Sequence, residues 1–146
     1  MNKIYYFIGQ PGSGKTTLSN MLNNFLNQTC IQIDGDDIRE IFNNKDYSIK
    51  GRRTNVELAH NIAKFLIKKQ NNVIISLVSP FKDLRDELKK ENVVIEIYLH
   101  TTENRGRNEY HVNYFEIPTE NYIDIDTTSK TEEQTFTNLL IKLKLQ

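Results

Sequence analysis

The chain has 146 residues, with 19 Lys and Arg against 19 Asp and Glu, so its formal net charge is zero. That length sets one domain with room for a real core, and the charge balance excludes a global pull towards nucleic acid or an anionic membrane. No apolar run approaches the ~20 residues that span a bilayer. The single cysteine, Cys30, cannot form an internal disulfide and fits a reducing, cytoplasmic setting. The short apolar start runs straight into a glycine-rich loop, which is not how a signal peptide reads. No repeat or linker marks a boundary, so residues 1–146 read as a single domain.

In chain order, Lys3-Ile4-Tyr5-Tyr6-Phe7-Ile8 reads as a short buried strand. A glycine-rich turn follows, and then a helix over about 14–26. Cys30-Ile31-Gln32-Ile33-Asp34 is a second strand, with Cys30 as a small buried residue opening it. Asp34-Gly35-Asp36-Asp37-Ile38-Arg39 opens a short helix through Phe42, where acids suit the dipole. Asn43 to Lys50 is polar and turn-like. Arg52 to Lys69 is helical, with Val56, Ala59, Ile62, Ala63, Leu66 and Ile67 on one stripe.

Asn72 to Leu77 is a third strand, Ser79-Pro80 breaks the run, and Phe81 to Glu91 is helical. Val93 to Leu99 is a fourth strand. Residues 100–120 lack periodicity and carry Arg105, Arg107 and His111. Tyr122 to Asp126 alternates as a last strand, and Thr131 to Leu145 closes the chain as a helix. Strands alternating with helices predict an α/β fold, a five-stranded parallel sheet with helices on both faces.

Gly9-Gln10-Pro11-Gly12-Ser13-Gly14-Lys15-Thr16 fits the phosphate-loop pattern G-x-x-x-x-G-K-[ST] at every fixed position. Its context, strand before and helix after, is the one the pattern needs, so the fold is that of P-loop nucleoside-triphosphate hydrolases and kinases. Glycines let successive N–H groups point at an anion, and the helix adds its positive end. The nucleotide-binding set is Gly12, Ser13, Gly14, Lys15, Thr16 and Thr17. Lys15 is expected to reach the β- and γ-phosphates of ATP, and the Thr16 hydroxyl to ligate Mg²⁺. Three acids around Gly35 at a strand end point to a second site element, because ligands of open α/β folds sit at the carboxyl ends of strands. His60 on the long helix reads as structural, and His100 and His111 lack metal-ligand spacing.

Four blocks in order resemble the adenylylsulfate kinase family: the phosphate loop, Asp34-Gly35-Asp36-Asp37-Ile38-Arg39, Tyr47-Ser48-Ile49-Lys50-Gly51-Arg52-Arg53-Thr54-Asn55, and Ser76-Leu77-Val78-Ser79-Pro80-Phe81-Lys82. Ile125-Asp126-Thr127 also resembles a family I-D-T segment. The resemblance implies transfer of the ATP γ-phosphate to the ribose 3′-hydroxyl of adenylyl sulfate. It implies that Arg39, Arg52 and Asn55 hold the anionic acceptor, with Val78 and Ser79 beside it, and that Tyr47 stacks on its base. Asp36, with Asp34, would meet the acceptor hydroxyl and the metal shell. Together with Lys15 these are the candidate catalytic residues, and the family's phosphoserine would fall at Ser79. Direct transfer needs no covalent serine, so Ser79 reads instead as a turn before Pro80 or a bond to the acceptor.

Three departures bear on the acceptor. Gly51 replaces an aspartate. Glu57 stands where the family has arginine, which predicts an anion near the acceptor. The segment at about 100–120 is short for the family's basic lid, with Arg105 and Arg107 as the only candidates for phosphate contact. Cytidine diphosphoramidate, the acceptor of a capsule-biosynthesis relative, is therefore an alternative to adenylyl sulfate. Other readings are a kinase for a small metabolite or a nucleic-acid end, or a non-catalytic nucleotide-binding module. The absence of a basic stripe argues against nucleic acid. No membrane partner is expected, and a homodimer is left open.

Overall fold

The computed structural model describes residues 1–145. Five strands, β1 (Ile4–Ile8), β2 (Cys30–Asp34), β3 (Asn72–Leu77), β4 (Val94–His100) and β5 (Tyr122–Asp126), form one sheet in the order β2-β3-β1-β4-β5. Every pairing is parallel. The helices are α1 (Lys15–Phe25), α2 (Gly35–Ile41), α3 (Ile49–Lys68), α4 (Lys82–Glu91) and α5 (Glu132–Leu143). Among the described residues no helix is long and apolar enough to cross a membrane.

All five β1 side chains are buried, so β1 must be covered on both faces, and it lies at the centre of the sheet. Alternation divides its side chains between the two layers. Ile4, Tyr6 and Ile8 meet Val56, Ala59 and Ala63 of α3 and Leu84 and Leu88 of α4. Tyr5 and Phe7 meet Leu18 and Leu22 of α1 and Leu139 of α5.

Helix α3 starts at Ile49, three residues earlier than the apolar stripe indicates. The Ser48 side chain accepts from Gly51 N and caps a first turn in which Ile49 and Lys50 are exposed and only Gly51 is buried. Periodicity cannot detect a turn that buries no apolar side chain. Helix α5 begins with a capping box of Thr131 and Gln134.

Two buried polar groups interrupt the apolar layer under α3 and α4. Tyr6 OH bonds to His60 Nε2 and, at 2.7 Å, to Ser79 Oγ. Burial, helped by Lys64 and Arg85, holds the His60 pKa down at about 4, so the ring is neutral and structural. Arg85, 1% exposed, pairs through Nε with Glu96 Oε2 at 2.8 Å. Its other nitrogens donate to the main-chain oxygens of Ser79 and Glu116, both at 2.6 Å. Lys89 Nζ holds the second Glu96 oxygen at 2.6 Å. One guanidinium thus joins β4, the turn after β3 and the loop before β5.

Removing one partner of a buried ion pair leaves the other charge uncompensated. Arg85→Met is therefore expected to lower unfolding free energy by about 3–5 kcal/mol. Urea denaturation would show this as a lower midpoint with an unchanged slope, and an unchanged midpoint would refute it.

Candidate active site

The carboxyl ends of the strands open onto a cleft of about 1110 Å³. It lies where the chain crosses to either side of β1, the switch point at which open α/β sheets bind ligands.

The phosphate loop forms one wall. Gly14 caps α1 at φ 100°, a left-handed conformation that suits glycine, and so swings the following N–H groups towards the cleft. Lys15 Nζ donates to Gln10 O at 2.9 Å and reaches Ser13 Oγ at 3.5 Å. Burial pushes the Lys15 pKa down to about 8, against an upward pull from Asp34; Arg107 lowers it further and Asp36 raises it.

Across the loop, Thr16 Oγ1 donates to Asp34 Oδ2 at 3.1 Å. The other Asp34 oxygen accepts from Asp36 N at 3.0 Å and so caps α2. That cap fixes Asp34 facing Thr16. A hydroxyl and a carboxylate side by side are hard oxygen donors that fit Mg²⁺ and its waters. Asp36, exposed in the first turn of α2, lines the same cleft.

The second wall comes from α2, α3 and the turn after β3. Arg52, Asn55 and Val56 share a helical face and line the cleft. Glu57 does not. Two residues beyond Asn55 on a helix is a rotation of roughly 200°, so Glu57 is exposed away from the cleft and acts on Arg53 instead. The anion expected near the acceptor from Glu57 is therefore absent from that wall.

Arg39 donates to Asn44 O and Asp46 O at 3.1 and 3.0 Å, and its guanidinium lies 3.9 Å over the Tyr47 ring. Arg52 is 5.4 Å from the same ring and bonds to Tyr47 O. Tyr47 is 60% exposed, with Arg39 on one face. The Gly51 position has no room for a side chain: a Cβ there would stand 2.4 Å from Asp46 Cγ. Asp46 Oδ1 is held by Ser48 N. The carboxylate missing from position 51 is replaced by one reaching in from the preceding loop.

Ser79 is 1% exposed and left-handed at φ 49°. Tyr6 OH occupies its hydroxyl and Arg85 its carbonyl.

The loop between β4 and β5 lines the cleft beside the phosphate loop and holds one 3-10 turn, Asn108–Tyr110. Arg105 donates to Gly12 O and Thr127 O at 3.3 and 3.0 Å and pairs with Glu103. Arg107 lays its aliphatic stem against Gly12 and its charge within reach of Lys15. Farther on, the Gln10 amide makes two 2.8 Å bonds to Val112, one to its oxygen and one from its nitrogen. Glu116 N then donates to Pro80 O at 3.0 Å.

Every residue named from sequence for the nucleotide or the acceptor lines this one cleft: Gly12 through Thr17, Asp34, Asp36, Arg39, Tyr47, Arg52, Asn55, Val78, Ser79, Arg105 and Arg107. Sequence reasoning did not find Gln10, Asp46, Arg85 or Glu103. Gln10 sits at a variable position of the loop pattern, where the pattern is silent. Arg85 and Glu103 act on main-chain atoms far off in sequence, at Glu116 and Ser129, and Asp46 makes a local turn bond to Ser48 N; none of these leaves a periodic trace.

Comparison with known proteins agrees with this geometry. The adenylylsulphate kinase family model matches residues 1–111. An adenylyl-sulfate kinase of Prochlorococcus marinus is 36% identical over 102 residues, which are 65% of this chain and 51% of that protein. One from Bacillus velezensis is 32% identical over 106 residues, 67% of this chain and 53% of that one. The chain thus spans about half the length of the curated relatives it matches. In fold it superposes on the Mycobacterium tuberculosis APS kinase solved with AMPPNP and APS, with a TM-score of 0.82 at 16% identity over 98% of both chains. Shikimate kinase from Aquifex aeolicus shares the fold at a TM-score of 0.67 and 20% identity, over 97% of this chain and 96% of that one. With its family model matched over 111 residues and its strands laid out as in P-loop kinases, the chain belongs to the adenylylsulphate kinase family.

Proposed function

We propose that this chain is an ATP-dependent kinase that phosphorylates the ribose 3′-hydroxyl of a nucleotide, with adenylyl sulfate as the acceptor. Residues 1–146 act as one domain, with residues 100–120 as its lid. One observation carries the reading: a phosphate loop, an arginine- and tyrosine-bearing wall and Asp36 all line one cleft.

The chemistry follows from the residues. Asp36 orients the acceptor hydroxyl and takes its proton as the oxygen bonds to the γ-phosphorus. The bond from that phosphorus to the β–γ bridging oxygen breaks, and its electrons leave with ADP. Lys15 neutralises charge on the β- and γ-oxygens. Arg107 serves the γ-phosphate, because Arg105 is already committed to Gly12, Thr127 and Glu103. Arg39, Arg52 and Asn55 bind the acceptor's charged group, where the guanidinium fork suits paired oxyanions. Thr16 and Asp34 would hold Mg²⁺, which when bound offsets phosphate charge. The lid keeps water from competing with the acceptor.

A second acceptor, cytidine diphosphoramidate, draws support from the rebuilt wall around Arg39, where Asp46 fills the space beside Gly51. Both acceptors present a nucleotide 3′-hydroxyl and a modified phosphate. Release of ADP with each acceptor in turn tests the proposal. One acceptor should give rapid turnover. Lys15→Ala is expected to lower that turnover by about 10²–10³-fold, and Asp36→Asn by about 10²–10⁴-fold. Equal slow hydrolysis with every acceptor would establish a binding module instead.

Ser79 has no covalent role in this scheme. Incubation with ATP should leave Ser79 unmodified by mass spectrometry, and Ser79→Ala should lose far less activity than Lys15→Ala. Phosphoserine at that position would overturn direct transfer.

Nucleotide affinity should also depend on pH. The Lys15 pKa is lowered, so its charge is complete well below about 8 and lost above it. Affinity for an ATP analogue, measured by calorimetry, is expected to fall as pH rises through that value. Asp34→Asn removes the strongest upward pull on Lys15 and should move the fall to lower pH. A fall that does not move would assign it to another group.

A further inference from the structure

We propose that Gln10 is a positioning residue that docks the lid on the phosphate loop and so sets Arg107 over the terminal phosphates; this rests on the kinase reading above. Gln10 fills a position that the loop pattern leaves open, yet its side chain is fully engaged. Its amide nitrogen donates to Val112 O and its amide oxygen accepts from Val112 N, both at 2.8 Å. That is the pairing a neighbouring strand would make, supplied by one side chain. Val112 is buried within an otherwise exposed stretch, so the tie has an apolar anchor.

The tie closes a loop. Arg105 pins the lid at one end through Gly12 O and Thr127 O. Gln10 pins it seven residues later. Arg107 lies between the two pins. Among the described residues its guanidinium hydrogen-bonds to no protein group, and it stands 5.6 Å from the Tyr110 ring. The Gln10 pin is wholly on the phosphate loop, and the Arg105 pin is shared between that loop and Thr127 at the end of β5, so the distance from Arg107 to the phosphates is fixed by the loop together with the strand end beside it. The same residue also accepts Lys15 Nζ through its main-chain oxygen at 2.9 Å. One residue therefore ties together the two cations that meet the transferred group. A group displaced by about 1 Å can cost 10²-fold in rate, so a lid freed from Gln10 should act through Arg107 and leave the nucleotide pocket in place.

The test is a double-variant cycle with a conformational readout. Gln10→Met keeps the length and removes both bonds. Gln10→Glu keeps the bond from Val112 N but sets a carboxylate oxygen against Val112 O, and serves if the first variant folds poorly. Either is expected to lower kcat by about tenfold or more with little change in affinity for a non-hydrolysable ATP analogue. In an Arg107→Ala background the same change should cost almost nothing further, because residues acting as one unit are not additive. Trypsin should cleave after Arg105 and Arg107 faster than in the parent chain. Losses that add in full to those of Arg107→Ala, or cleavage at the parent rate, would overturn the role. If no acceptor supports turnover, the kinase reading fails on its own. The cycle is then run on ATP hydrolysis, where the cleavage rate and the additivity still decide whether Gln10 holds the lid.

Discussion

The parallel pairing of β1 on both sides is the constraint on which the site depends. β3 and β4 flank it in register as far as Ile8, and there the chain leaves the sheet and turns over its end. The turn made there, closed by left-handed Gly14, ends in the N-terminus of α1. Backbone donors that a longer strand would have spent on the ladder are released to face the cleft. A charged ligand is thus met first by dipoles that the fold cannot avoid presenting. The side chains refine what the backbone begins: Lys15 adds a full charge, and Asp34 answers across the loop through Thr16. Both acids that matter arrive by the same device, since the carboxylate capping α2 also orders the turn bearing Asp36.

The opposite wall rests on buried charge. Arg85 lies under the turn that carries Ser79 and under the loop that returns from the lid. Its guanidinium offers donors in three directions, and each finds an oxygen. A hydrophobic side chain there could fill the space but could not hold two loops at fixed separation. This fits the left-handed backbone of Ser79, an unfavourable conformation for a residue with a Cβ that its surroundings must enforce.

How much of this was legible in the sequence depends on whether a feature repeats. The strands, α1 and most of α3 declare themselves through alternation or a stripe, and the phosphate loop through its spacing. On α3, Arg52 and Asn55 could be named through the family motif alone, and the structure gives the reason, since they share one helical face with Val56, which the sequence shows only as part of an apolar stripe. The same geometry, applied one step further, turns Glu57 away from the cleft, and a motif read as a linear string does not carry that rotation. The early start of α3 escaped because its first turn, with Ile49 exposed, buries no apolar side chain and depends on a single cap at Ser48. For the segment at about 100–120 the sequence offered its place and its two arginines but not what orders it. Its order comes from single bonds between a side chain and a distant main chain, such as Gln10 to Val112 and Arg105 to Thr127. Such bonds need no composition bias, and no local window of sequence contains both partners.

The space shared by Gly51 and Asp46 constrains how the acceptor wall can drift. An aspartate restored at 51 would collide with the main-chain oxygen of Asp46 as well as with its side chain, so the loop itself would have to move. A loss at 46 alone would strip the support from Ser48 N and leave a hollow beside Arg39. A side chain at 51 therefore calls for a different path of the loop before α3, and trimming Asp46 alone does not make room for it. Grafting a relative's acceptor preference onto this chain would have to move that loop and position 51 as a single cassette.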